Sequence, residues 1–305
     1  MVFPGQGSQS QGMQSDLATE FPEVAAVYAE ASDILGYDLW QLVQDGPAER
    51  LGETVITQPA MLTAGYAAWQ AWQSAGGPAP AQMAGHSLGE YTALVCAGSV
   101  SFADALTVVR RRSELMQEAV PPGAGAMAAI LGLDDAAIIE VCATAAEDGV
   151  ADAVNFNAPG QVVIAGDTAA IDRAIALAKE QGARRAMMLP VSVPAHSALM
   201  RTAGETLADA LAAAEFTSPE ITVIAAADAS PYGDGDDIRQ RLSRQVYAPV
   251  QWVSTVQAMI AGGATSVIEC GPGKVLTGLM RRIDKSVPAS CLDTAANVHS
   301  AKEPQ

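Results

Sequence analysis

Positive charge is scarce in this sequence and unevenly distributed. The 305 residues include 17 Lys or Arg and 34 Asp or Glu, which gives a formal net charge of −17. Arg50 is the only basic residue before Arg110. Because nucleic-acid binding depends on a broad basic surface, we expect no nucleic-acid partner. Small basic clusters can still recruit an acidic protein.

Cysteines and long apolar runs are scarce as well. The chain has four cysteines and no Cys-x-x-Cys pair, which disfavours a zinc site or a disulfide framework and predicts free thiols. No uninterrupted apolar run approaches the roughly 20 residues that span a membrane. The first residues also lack the basic segment typical of a signal peptide. We therefore expect a cytoplasmic protein that contacts no membrane and binds no metal.

Strand-like and helix-like segments alternate in the first and last parts of the chain. This pattern predicts an α/β fold with a mostly parallel sheet covered by helices. The strand-like segments are residues 1–3, 82–86, 221–225 and 266–270. Helices are predicted over residues 59–75 and 102–120. The polar tail after Thr294 is expected to be frayed.

Between residues 123 and 190 the order of predicted elements changes to β-α-β-β-α-β, which is typical of a ferredoxin-like domain. The strands are expected at residues 126–133, 153–157, 161–165 and 185–189, and the helices at residues 134–147 and 168–181. The sequence thus predicts a small domain, residues 123–190, inserted into a large α/β-hydrolase-like domain. The large domain would comprise residues 1–122 and 191–305.

The segment Gly85-His86-Ser87-Leu88-Gly89 lies between a strand-like and a helix-like run. A serine flanked by glycines at this spacing is typical of a nucleophile elbow, where a strand reverses sharply into a helix and exposes the hydroxyl. An elbow also directs the amide of Leu88 toward an oxyanion formed at Ser87. Taken alone, the pentapeptide is equally consistent with a glycine-rich turn.

A serine nucleophile needs a base, and the chain has only three histidines. His86 adjoins Ser87, but neighbouring side chains leave a sharp turn in different directions, so a structural role is favoured. His299 lies in the polar tail, where a mobile imidazole could not hold catalytic geometry. His196 follows the predicted small domain, where a cleft between domains would lie, and it is the candidate base.

Arg112 is the residue that indicates which kind of substrate the protein binds. In the predicted helix over residues 102–120 it falls at the edge of an apolar stripe, whereas Arg111 points away. A partly buried guanidinium is costly without an anion, and arginine binds a carboxylate through two parallel hydrogen bonds. A substrate carboxylate would supply that anion. The alternative is an internal salt bridge to Glu90 or Asp104.

Further motifs occur in a fixed order around the elbow. They are Phe3-Pro4-Gly5-Gln6-Gly7-Ser8-Gln9, Arg110-Arg111-Arg112 and Val191-Ser192-Val193-Pro194-Ala195-His196-Ser197. With the elbow they resemble the malonyl-CoA:acyl carrier protein transacylase family over nearly the whole chain. The resemblance implies malonyl transfer from malonyl-CoA to acyl carrier protein for fatty-acid synthesis, with no cofactor besides these substrates. The alternatives are a serine hydrolase with the same elbow and a catalytically silent module that docks carrier protein.

The resemblance also implies roles for individual residues. These are catalysis by Ser87 and His196, oxyanion binding by the amides of Gln6 and Leu88, malonate binding by Arg112, and orientation of His196 by a main-chain carbonyl near Gln245. We place Gln245 with Arg112 among the substrate-binding residues. Because carrier proteins of this pathway are typically acidic, docking is predicted at basic clusters, which otherwise are only solvated surface. The clusters contain Arg184, Arg185, Lys274, Arg281 and Arg282.

Overall fold

The computed structural model describes residues 1–191 and 193–302, so Ser192 of the motif before His196 lies outside the described residues. The strands within these ranges are β1 (Val2–Phe3), β2 (Gln82–Gly85), β3 (Gly125–Leu131), β4 (Ala151–Ala158), β5 (Gln161–Asp167), β6 (Arg185–Met188), β7 (Thr222–Ala225), β8 (Ser230–Pro231), β9 (Val267–Glu269) and β10 (Ala289–Cys291). The helices of the first part are α1 (Ser15–Glu20), α2 (Pro22–Leu35), α3 (Leu39–Asp45), α4 (Ala48–Leu51), α5 (Thr54–Ser74), α6 (Gly89–Cys96) and α7 (Phe102–Glu118). The remaining helices are α8 (Asp135–Ala146), α9 (Thr168–Glu180), α10 (Arg201–Ala213), α11 (Gly235–Gln245), α12 (Trp252–Ala261), α13 (Val275–Ile283) and α14 (Ala295–Ala301), with a 3-10 turn at Ala198–Met200.

A six-stranded sheet forms the centre of the molecule, with strand order β10-β9-β1-β2-β7-β8. All neighbouring strands from β10 to β7 run parallel, and only β8 at one edge runs antiparallel. The predicted α/β fold is therefore confirmed. The sequence did not indicate the edge strands β8 and β10.

Two helices pack beside the elbow and bring Arg112 to it. Helix α7 begins after Ser101, whose hydroxyl accepts a hydrogen bond from the amide of Asp104, as an N-cap residue does. Its buried face includes Phe102, Val109 and Arg112. The neighbouring helix α5 begins at Thr54, so the predicted start at residue 59 was wrong. Proline ends a sequence-based helix prediction because it lacks an amide hydrogen, yet the helix continues through it.

The four strands between residues 125 and 188 form a separate antiparallel sheet with order β4-β5-β3-β6. Side chains alternate between its two faces. Alternate residues of β3, among them Ala128 and Ile130, are buried in a core with residues of α8 and α9. On the opposite face, Met127 and Val163 line a cavity next to the large sheet.

Residues 295–301 of the C-terminal tail form helix α14, so the expectation that the tail frays directly after Thr294 was wrong. Thr294 caps α14 by accepting a hydrogen bond from the amide of Asn297, and Val298 is fully buried. The amide of Ala295 donates to Asp16 near the start of the chain. The tail is polar in composition, but its two buried apolar residues, Ala295 and Val298, pack α14 against the rest of the molecule. Among the described residues, no helix is long and apolar enough to cross a membrane.

Candidate active site

The chain reverses sharply between β2 and α6, and Ser87 lies in that turn. Its φ of 53° falls in the left-handed region, which is uncommon for a residue with a side chain. A Cβ atom on Gly85 would lie 1.9 Å from the carbonyl carbon of Gly89, and one on Gly89 would lie 2.1 Å from the carbonyl oxygen of Phe3. Both flanking positions therefore require glycine, as a nucleophile elbow does.

His196 contacts Ser87 from the other side of a cleft. Its Nε2 lies 2.7 Å from the Ser87 hydroxyl oxygen. Its Nδ1 lies 2.9 Å from the main-chain carbonyl of Gln245 and 3.1 Å from that of Ala248. Because carbonyl oxygens only accept hydrogen bonds, Nδ1 carries the proton and Nε2 presents its lone pair to the hydroxyl.

Arg112 is buried next to this pair, with 1% of its surface exposed. Its Nη1 donates to the side-chain oxygen of Gln58 at 2.5 Å, and its Nη2 donates to the side-chain oxygen of Gln245 at 3.0 Å. The same Nη2 lies 3.3 Å from the Ser87 hydroxyl. Within residues 1–191 and 193–302, Nε has no hydrogen-bond partner and the guanidinium forms no salt bridge. The internal salt bridge that was the alternative is therefore absent from the described part of the chain.

A cavity of about 1040 Å³ lies between the two sheets, and its lining includes Ser87, His196, Arg112 and Gln58. Gln6 and Leu88 lie on its wall beside Ser87. Neither main-chain amide donates a hydrogen bond to another described residue. Two unpaired amides next to a serine hydroxyl have the composition of an oxyanion hole.

Comparisons with known proteins agree with this geometry. A family model described as an acyl transferase domain matches residues 1–302. The chain belongs to the acyl transferase family. It is 55% identical over 302 residues to malonyl CoA-acyl carrier protein transacylase of Escherichia coli, covering 99% of this chain and 98% of that protein.

Solved structures of malonyltransferases have the same fold as this acyl transferase. An acyl carrier protein S-malonyltransferase from Vibrio cholerae superposes with a TM-score of 0.96 at 53% identity, covering 99% of this chain and 98% of that one. A malonyl-transacylase solved in complex with a type II PKS acyl-carrier protein gives a TM-score of 0.98 at 50% identity, over 99% and 98% of the two chains.

The electrostatics of the acyl transferase site favour a neutral imidazole. Burial, assisted by the positive charge of Arg112, lowers the pKa of His196 to about 3. At neutral pH the ring is therefore uncharged and its Nε2 can accept a proton. Burial also lowers the pKa of Arg112, but a guanidinium stays protonated in proteins. The site thus holds one fixed positive charge next to a neutral base.

His86 takes part in the contact between the two sheets. Its Nε2 lies 2.7 Å from the side-chain oxygen of Asn157 in β4, and its ring packs against Trp252 at 5.4 Å between centroids. Burial lowers the pKa of His86 as well. Its ring is engaged by these partners, whereas His196 is the histidine bonded to Ser87.

The five candidate docking residues are all exposed, in two groups. Arg184 and Arg185 lie at the start of β6, Lys274 precedes α13, and Arg281 and Arg282 end that helix. The two groups approach each other through the small sheet. Arg282 donates a hydrogen bond to the side chain of Gln161, and Leu131 pairs with both Gln161 and Arg185. Two strand spacings of about 4.8 Å separate Gln161 from Arg185.

Two side chains of the site were not identified from the sequence as contributors. Gln58 contacts Arg112 directly, and Glu90 contacts Gln245. A glutamine within the apolar run of α5 is a weak signal of a buried polar contact. From the sequence, Glu90 is a candidate only for a salt bridge with Arg112. Among the described residues, no group of three or more His, Cys, Asp or Glu side chains is arranged to hold a metal ion.

Proposed function

We propose that this acyl transferase moves the malonyl group of malonyl-CoA to the phosphopantetheine thiol of acyl carrier protein, through a malonyl ester on Ser87. The observation that carries this function is the position of Arg112. Its buried cation lies beside the Ser87 hydroxyl and, in the part of the chain that the structure describes, contacts only neutral groups and has an unpaired Nε donor. A malonyl group bound as a thioester ends in a carboxylate, which supplies the missing anion.

In the first half-reaction His196 acts as general base. Nε2 takes the hydroxyl proton of Ser87 while the serine oxygen attacks the thioester carbonyl carbon. The amides of Gln6 and Leu88 stabilise the oxyanion. The carbon–sulfur bond then breaks, the coenzyme A sulfur takes the proton from Nε2, and the malonyl ester remains. The substrate carboxylate offsets the charge of Arg112, so the imidazolium is less disfavoured when malonyl is bound.

The second half-reaction uses the same groups in the opposite sense. The phosphopantetheine thiol gives its proton to Nε2 of His196, and its sulfur attacks the ester carbonyl carbon. The carbon–oxygen bond breaks, and Ser87 recovers the proton. We further propose that the reaction takes place in the cytoplasm and needs no cofactor besides its substrates. All four cysteines are free thiols, as a reducing compartment maintains them.

We also propose that the two sheets belong to two domains. The antiparallel order β4-β5-β3-β6, with α8 and α9 on one face, supports a ferredoxin-like domain over residues 123–190. The parallel sheet and the elbow support a large α/β-hydrolase-like domain formed by residues 1–122 and 191–305. Because His196 follows the small domain while Ser87 precedes it, the insertion separates the two reacting side chains in sequence and places the cavity between the sheets.

The function is tested by the acyl selectivity of Arg112→Ala. Hydrogen bonds to charged groups contribute about 1.5–3 kcal/mol, so the variant should lose about tenfold to a hundredfold in kcat/KM with malonyl-CoA. Acetyl-CoA has no carboxylate, and its smaller activity should change much less. Coenzyme A release, measured with each thioester and with carrier protein as acceptor, gives both values.

Arg111→Ala is the matched control. Arg111 is the neighbouring arginine, points to Glu114 and is partly exposed, so the variant should keep the selectivity of the unmodified protein. Without carrier protein, the unmodified enzyme should release one equivalent of coenzyme A in a burst and then stop. Continued release of free malonate would indicate the serine hydrolase, and no burst at all would indicate the silent docking module.

The basic clusters are proposed to receive the acidic carrier protein at the mouth of the cavity. Arg185→Glu and Arg282→Glu should raise the KM for carrier protein, most strongly at low salt, because such contacts are screened over about 8 Å at physiological ionic strength. Malonylation of Ser87 by malonyl-CoA should change much less. Steady-state rates at two salt concentrations measure the effect.

Lys179→Glu provides the control for charge reversal. Lys179 is exposed on α9, which covers the face of the small sheet away from the cavity. This variant should leave the KM for carrier protein unchanged. If both half-reactions slow equally in the Arg185 and Arg282 variants, or if salt has no influence, docking takes place on another surface.

A further inference from the structure

Glu90 is a buried carboxylate beside the reacting serine, and the reaction described above does not use it. It lies in the first turn of α6 and is fully buried. One carboxylate oxygen, Oε2, accepts hydrogen bonds from the hydroxyl of Tyr232 at 2.7 Å and the amide of Ala226 at 3.2 Å. The other, Oε1, accepts a hydrogen bond from Nε2 of Gln245 at 2.7 Å. Donors thus surround both oxygens.

The side-chain amide of Gln245 has only one orientation that suits its neighbours. Its Nε2 lies 2.8 Å from the main-chain carbonyl of Ser87, which can only accept a hydrogen bond. Its Oε1 lies 3.0 Å from Nη2 of Arg112, which can only donate one. The second hydrogen of Nε2 is the one directed at Glu90. Gln245 is therefore a fixed dipole between a guanidinium and a carboxylate.

This arrangement links Glu90 to Arg112 without a direct contact. Burial raises the pKa of Glu90, but the donors at both of its oxygens favour the ionised form. The negative charge of this carboxylate attracts the amide nitrogen of Gln245, and the amide oxygen in turn attracts the guanidinium. Hydrogen bonds in such a buried chain polarise and strengthen one another. Without the carboxylate, the Gln245 amide loses one of the two acceptors that hold it in place.

We propose that Glu90 is a positioning residue for acyl selectivity, whose carboxylate, acting through the Gln245 amide, holds Arg112 where the guanidinium meets the substrate carboxylate. The inference rests on the proposed function, because it takes the malonyl group to bind at Arg112. Glu90 itself contacts no substrate atom in this scheme. Its contribution should therefore depend on the presence of Arg112.

Glu90→Gln tests the inference with a side chain of the same shape. Each oxygen of Glu90 faces an N–H donor, from Ala226 on one side and from Gln245 on the other. A glutamine has only one oxygen, so its NH₂ group must face one of these N–H donors. A displacement of about 1 Å in a reacting group costs on the order of a hundredfold; for a residue that acts indirectly we expect about tenfold. That loss should appear as a higher KM for malonyl-CoA, while acetyl-CoA kinetics change much less.

A double variant separates positioning from general damage. In the Arg112→Ala background, Glu90→Gln should lower the malonyl-to-acetyl ratio no further, because the group it positions is gone. Tyr232→Phe, which removes one hydrogen bond to Glu90 and leaves Gln245 and Arg112 intact, should lower the ratio in the same direction by a smaller factor. Equal losses for both thioesters, or an unchanged effect in the Arg112→Ala background, overturn the inference.

Glu269→Gln is the matched control, since Glu269 is also fully buried and accepts hydrogen bonds from the amides of Leu276 and Thr277. It should lower the melting temperature without changing the malonyl-to-acetyl ratio. A crystal structure of Glu90→Gln supplies a readout that needs no substrate: Nη2 of Arg112 should move away from Gln245. An unmoved pair overturns the positioning role, whereas failure of the unmodified enzyme to take up malonyl would count against the proposed function alone.

Discussion

Ser87→Ala should abolish the covalent malonyl adduct completely. After incubation with malonyl-CoA and no acceptor, intact-protein mass spectrometry should show one malonyl increment on the unmodified protein and none on the variant. Within residues 1–191 and 193–302, only Ser87 combines a hydroxyl in the cavity with a neutral imidazole nitrogen at 2.7 Å. The left-handed φ of 53° places this side chain at the apex of the turn, beside the cavity.

The control for this experiment is Ser8→Ala. Ser8 lines the same cavity, but its hydroxyl forms no hydrogen bond with a histidine among the described residues, so this variant should retain the label. The cysteines are poor competitors, because burial raises the pKa of Cys96 and of Cys142, the latter to about 12, and so disfavours the nucleophilic thiolate. A label that survives in Ser87→Ala, or that maps to a cysteine, would contradict the acyl-serine mechanism.

Local rules made the elbow predictable. Gly85 and Gly89 are needed because the backbone of the turn leaves no space for a β-carbon, and the requirement is visible in a pentapeptide. The β-α-β-β-α-β order was predictable for the same reason, since each strand carries its own alternation. The six observed elements begin within two residues of the predicted ones.

Contacts between distant segments were harder to foresee. His196 was identified by elimination among three histidines, but its two carbonyl partners come from residues 49 and 52 positions away. The apolar stripe of the helix that contains Arg112 predicts a buried charge, but it does not predict which groups surround that charge. Gln58 and Gln245 reach Arg112 from separate helices, across 54 and 133 residues of sequence. Only the tertiary fold determines such neighbours.

The errors have a common physical origin. The sequence predicts that a helix starts at Pro59, whereas buried residues on either side extend α5 through it. The polar composition of the tail predicts fraying, whereas two buried residues and a cap hold α14 in place. In both cases tertiary packing outweighs local propensity. The same applies to His299, whose ring packs 5.9 Å from that of Phe21.

His196→Ala should slow malonylation of Ser87 by about 10²–10⁴-fold, the usual contribution of a positioned general base. The residual rate should come from the oxyanion donors and from binding at Arg112, which the substitution leaves in place. Single-turnover release of coenzyme A measures the change. The matched control is His299→Ala, because His299 lies in α14 and pairs with Glu20 outside the cavity. A comparable loss in that variant would show that the effect is not specific to the base.

The pH dependence gives a second measure of the role of His196. An unperturbed histidine protonates near 6.5, but burial and the charge of Arg112 lower the pKa of His196 to about 3. A lowered pKa means that the imidazole stays neutral, and able to accept the serine proton, as the pH falls through 6.5. Malonylation should therefore remain nearly constant between about pH 5 and about pH 8 in the unmodified enzyme. In His196→Ala the rate should instead rise with pH, because hydroxide must then remove the proton. A rate for the unmodified enzyme that halves near pH 6.5 would contradict the lowered pKa of His196.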